Sequence, residues 1–99
     1  MVAMVTLEAL QKRSKDQIYE LARKHGASNL RVFGSVARGA NREDSDVDFL
    51  VDFEPSRTLF DLIALRLDLK ELLGAEVEVV TPGSLRYLRE RILAEAVSL

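Results

Sequence analysis

The chain has 99 residues, 47% of them hydrophobic and 30% charged, which suits one globular domain over residues 1–99 rather than a disordered or repetitive chain. No cysteine and a single histidine exclude disulfides, thiolate metal sites, cysteine catalysis and multi-histidine metal sites. A net charge of −2 gives no general attraction to nucleic acid or membrane, and no apolar run approaches the roughly 18–20 residues of a membrane span, so the expectation is a cytoplasmic protein.

Thr6 followed by Leu7 and Leu10, then Ile18, Leu21 and Ala22, predicts helix, closed by Gly26. Ser14 with Gln17 resembles a capping box, which allows two helices meeting near Ser14. Leu30-Arg31-Val32-Phe33 alternates and predicts a short half-buried strand, ended by Gly34-Ser35. Val36 to Arg38 allows one helical turn before Gly39, and Ala40 to Ser45 is polar loop. Val47 to Val51 is a second strand with Asp48 inside it. Leu59 to Leu73 is strongly helical and stops at Gly74, and Val77 to Val80 is a third strand containing Glu78. Pro82 and Ser84 open a last helix with Leu85, Leu88, Ile92 and Ala96 on one stripe.

This order, α-β-α-β-α-β-α, predicts an α/β (α+β) fold with a small three-stranded sheet covered by helices. The helix between strands two and three makes that pair parallel. Side chains alternate along a strand, so Asp46 and Asp48 share one side while Val47 and Phe49 take the other. If the second and third strands are neighbours, Glu78 stands beside the two aspartates. Three carboxylates together raise one another's pKa and weaken the fold unless a hard cation fills the space. Magnesium is such a cation, and two ions can clamp the attacking and leaving oxygens of a phosphoryl transfer. Upstream, Gly34 permits close backbone approach by a phosphate, Ser35 adds a hydroxyl, and Arg38 a cationic fork.

Gly34-Ser35-Val36-Ala37-Arg38-Gly39, followed by Asp46-Val47-Asp48, resembles the signature of the DNA polymerase beta-like nucleotidyltransferases. More narrowly, the chain from about Leu7 to Leu99 resembles the minimal nucleotidyltransferases, the MNT-domain antitoxins encoded beside HEPN-domain toxins. The resemblance implies a mixed three-stranded sheet, Mg²⁺ held by Asp46 and Asp48, and the phosphates of ATP at Ser35. It also implies transfer of AMP from ATP to a hydroxyl of the partner toxin. The family's third acid is commonly Asp, and the matching position here is Glu78, one methylene longer.

The expected site is therefore Asp46, Asp48 and Glu78 as metal ligands and catalytic acids, with Gly34, Ser35 and Arg38 binding the nucleotide. Plainer roles stand beside these: Ser35 as a helix cap, Arg38 paired with Asp44 or Asp48, and Glu78 on an exposed strand face. His25 fits a helix C-terminus through the dipole, and Arg86, Arg89 and Arg91 fit a solvated face. The alternative function is a binding module, with transfer weak or lost, that neutralises its partner by covering it. A small-molecule transferase is a third class, disfavoured because nothing here offers a second domain for the acceptor. On the helix Leu59 to Leu73, Leu62, Leu65, Leu69, Leu72 and Leu73 form the core stripe. Phe60, Ile63 and Leu67 form a second stripe, which predicts contact with a twin subunit or the toxin.

Overall fold

The computed structural model describes residues 5–85 and 89–99. Two short helices open it, α1 (Leu7–Lys12) and α2 (Lys15–Lys24). The Thr6 hydroxyl caps α1 by accepting the Ala9 N–H at 3.1 Å, whereas Ser14 makes no side-chain cap, so the two helices exist without the expected capping box. Four strands follow among further helices: β1 (Ala27–Phe33), α3 (Gly34–Arg38), β2 (Val47–Phe53), α4 (Leu59–Leu73), β3 (Val77–Val80), a 3-10 turn (Pro82–Ser84), α5 (Arg89–Glu95) and β4 (Val97–Ser98). The sheet order is β3-β2-β1-β4, with β2 and β3 parallel as expected and both neighbours of β1 antiparallel to it.

Two differences from expectation have local causes. β1 begins three residues early, at Ala27, and carries a bulge between Ser28 and Arg31, where Asn29 takes a φ of 51°. The extra residue breaks the two-residue alternation, so only the segment after the bulge has a strand-like pattern. Instead of running on through Ala96, the last helix ends at Glu95, and Val97 and Ser98 form a fourth strand on the free edge of β1. A strand of two residues is too short to show a period, and its pairing comes from an edge that only the folded sheet provides. Leu88, expected on that helix's stripe, lies outside the described residues.

The core lies between one face of the sheet and the helices. Val32 of β1, Val47, Phe49 and Val51 of β2, and Val77 and Val79 of β3 meet Leu10, Ile18, Ala22, Leu65 and Leu69 there. Val47 and Phe49 being wholly buried fixes the other side of β2 as the one that carries Asp48. The α4 core stripe is as expected: Leu65 and Leu69 are buried and Leu62, Leu72 and Leu73 pack against the core. Gly74 ends α4 in the left-handed conformation at φ 64°.

Candidate active site

The site begins where β1 turns into α3. Gly34 opens the helix at φ 74°, a conformation that costs other residues about 1–2 kcal/mol. A Cβ there would also run into Oδ2 of Asp48, the strand partner of Phe33 on β2. Glycine thus answers two demands, a left-handed turn and room for a carboxylate. Ser35 follows it but does not cap the helix, since Phe33 takes the cap position and no side chain fills it.

Along the parallel β2–β3 ladder, Asp48 pairs in register with Glu78 on the adjacent strand. Asp46 precedes it by two residues, at the entry to β2. Asp46 and Glu78 are exposed, while Asp48 is partly buried, beside a strand whose Leu50, two residues on, is fully buried. Burial pushes the Asp48 carboxyl up to about 6, helped by the negative charges of Asp46 and Glu78 and opposed by the Arg38 guanidinium. A carboxylate held above its usual range by burial and by neighbouring acids is one that a hard cation would stabilise, and an all-oxygen donor set suits Mg²⁺. Among the described residues no three acidic or imidazole groups already converge as a metal cage, so Asp46 and Glu78 would have to turn toward Asp48 to share an ion.

Arg38, at the last turn of α3, pairs with neither Asp44 nor Asp48. Its Nη1 donates to Glu95 Oε1 at 3.2 Å and Oε2 at 3.5 Å. Glu95 Oε1 also accepts the Gly34 N–H at 3.1 Å. Glu95 escaped the sequence reading because it lies 57 residues beyond Arg38 with no motif around it. Only the return of the chain end to the sheet brings it to α3. Ser45 shapes the loop before Asp46 by accepting the Arg42 N–H at 2.8 Å.

Asp46 and Glu78 stand exposed at the end of the sheet where β2 and β3 begin. A groove lined by Asp44, Ser45, Leu67, Lys70 and Glu76, and a second lined by Gln17, Lys24, Asp68 and Leu72, include none of the site residues. His25 stands away from the site: its Nε2 lies 2.6 Å from Asp68 Oδ2 on α4, so a hydrogen bond adds to the helix-end position. Arg89 and Arg91 are exposed, and Arg86 lies outside the described residues. On α4, Phe60, Ile63 and Leu67 are 83%, 42% and 52% exposed, forming an apolar surface with Leu59.

Residues 14–99 match the family model described as nucleotidyltransferase domain. The chain is 40% identical to the protein adenylyltransferase MntA of Thermococcus cleftensis over 97% of its own length and 98% of the relative's. Among solved structures, it superposes with a TM-score of 0.83 on one described as a "putative minimal nucleotidyltransferase", 49% identical and covering 96% of this chain and 97% of that one. A toxin–antitoxin structure with AMP-PNP shares the fold at a TM-score of 0.72 and 20% identity, over 85% of this chain and 70% of that one. With the glycine turn, the acidic strand pair and these likenesses together, the chain belongs to the nucleotidyltransferase domain family and is a nucleotidyltransferase.

Proposed function

We propose that this protein, one domain over residues 1–99, is an Mg²⁺-dependent adenylyltransferase that moves AMP from ATP to a hydroxyl of a partner protein in the cytoplasm. The partner would be a HEPN-type toxin, and the chain its antitoxin. The observation that carries the reading is the in-register pairing of Asp48 with Glu78 behind Gly34, which gathers acids and phosphate-side donors at one sheet end. The exposure of Asp46 and Glu78 at that end suits a macromolecular acceptor that presents its hydroxyl from outside. A relative named protein adenylyltransferase points to the same acceptor class.

In this reaction the acceptor oxygen bonds to the α-phosphorus, the bond to the bridging oxygen breaks, and pyrophosphate leaves. Asp46, Asp48 and Glu78 would hold the metal, two ions in all, which when bound neutralises phosphate charge and eases loss of the acceptor proton. Glu78 takes that proton from the acceptor. The Ser35 hydroxyl and the Arg38 guanidinium orient the phosphates, and Gly34 keeps the backbone clear of Asp48. Catalysis by these residues is positioning and charge stabilisation, without a covalent intermediate.

The apolar surface of Phe60, Ile63 and Leu67 is the proposed contact with the partner or with a second copy of the chain. A second reading, a binding module with little transfer, is favoured by Glu78 standing where the family commonly has Asp and by that same surface. Co-expression with a HEPN-type toxin, followed by intact-mass measurement of the toxin, separates the two. One added adenylyl group, lost with Asp48→Asn, supports transfer; an unmodified but neutralised toxin supports the binding module.

A further inference from the structure

Glu95 belongs to no motif, yet its carboxylate reaches both ends of α3. Its Oε1 accepts from the Gly34 N–H at 3.1 Å and from Arg38 Nη1 at 3.2 Å. Both contacts with Arg38 use Nη1, so Nε and Nη2, carrying three of the five guanidinium N–H donors, are not committed to Glu95. The backbone behind Glu95 is tied down two residues later, where Val97 pairs with Val32, and the Leu99 N–H donates to the Leu30 carbonyl at 3.0 Å. The side chain is only 23% exposed.

The geometry points to Glu95 as a positioning residue for the nucleotide: by bridging the first and last residues of α3, it holds Ser35 and the free side of Arg38 in the arrangement that receives the triphosphate. This rests on the nucleotide-binding roles proposed above for Ser35 and Arg38. A carboxylate that merely blocked those donors would have to withdraw before nucleotide entered, and this one hangs from a segment paired into the sheet. A neutral Gln would make the same two hydrogen bonds without adding negative charge near Asp48. What the carboxylate adds is the stronger, charge-assisted hold on a guanidinium.

The test is calorimetric titration of the full chain with AMP-PNP and Mg²⁺. Glu95→Ala should weaken binding by about tenfold, the scale of a lost hydrogen bond to a charged group. Glu95→Gln, which keeps an acceptor oxygen, should stay within about threefold of wild type. Because Glu95 acts in part through Arg38, adding Glu95→Ala to Arg38→Ala should weaken binding further by clearly less than Glu95→Ala does alone, the remainder coming through the Gly34 N–H. If Glu95→Ala does not fold, Glu95→Asp, one methylene short of reach, takes its place with the same expectation. Binding by Glu95→Ala as tight as wild type, or tighter, overturns the positioning role and makes the carboxylate a competitor of phosphate. Losses that multiply in the double variant overturn it as well. If wild type itself binds no AMP-PNP, the nucleotide reading falls and this one with it; unchanged binding in the Glu95 variant alone removes only Glu95.

Discussion

Replacing Asp48 with Asn tests the electrostatics of the acidic strand pair without any ligand. Burial beside Asp46 and Glu78 lifts the Asp48 pKa from 3.8 to about 6. At about 1.36 kcal/mol per pKa unit, the ionised carboxylate would cost the fold up to about 3 kcal/mol. Asp48 is partly exposed, and solvent screening brings the expected cost nearer about 1–2 kcal/mol. In a domain this size, roughly 1 kcal/mol moves the melting temperature by about 4–8 °C. Asp48→Asn should therefore melt about 4–16 °C higher than wild type at about pH 8 in EDTA. The sign follows from linkage. An acid whose folded pKa lies above its unfolded one costs stability in full above the folded value, about 6 here, and ceases to do so as pH falls toward 3.8. Wild type should accordingly gain on the variant as pH drops, with the gap roughly halved by about pH 5. Differential scanning fluorimetry across that range reads it directly. A gap that is absent, reversed or independent of pH would refute the account of Asp48 as a carboxylate strained by burial and by its acidic neighbours.

Gly34→Ala should lower stability by about 1–2 kcal/mol through its left-handed φ alone, and more through the collision with Asp48, measured by urea unfolding. A variant as stable as wild type would show that the turn relaxes freely. Glu78→Gln should cut adenylyl transfer strongly while AMP-PNP binding falls less, and Glu78→Asp should retain activity; wild-type turnover in the Gln variant would make Glu78 a bystander. Ile63→Ser with Leu67→Ser should leave the chain folded and binding AMP-PNP with Mg²⁺ but weaken association, by analytical ultracentrifugation or pull-down with the toxin. Loss of the fold itself would show that the stripe is core after all. Mg²⁺ with AMP-PNP should raise the melting temperature of wild type by mass action, and by less in Asp48→Asn.

What could be taken from the sequence alone is what local chemistry dictates. A helix over Leu59–Leu73 ending at Gly74 follows from fifteen residues of helical composition and a left-handed stop. β3 over Val77–Val80 follows from its β-branched run. The Gly34-Ser35 turn and the alternation that puts Asp48 opposite Val47 and Phe49 are local too, since each depends on neighbours within a few residues. The adjacency of Asp48 and Glu78 was only conditional, because the choice of which strands pair belongs to the whole sheet. The same holds for β4, whose two residues are strand only because β1 offers an unpaired edge. Asn29 hid the start of β1 by inserting an extra residue that spoils the alternation. Glu95 is the clearest case: no spacing rule links it to Gly34 or Arg38, and only the pairing of Val97 with Val32 brings the carboxylate to them. Tertiary structure likewise decided that Phe60, Ile63 and Leu67 stay in water, because a sheet has room against its face for only one side of an apolar helix.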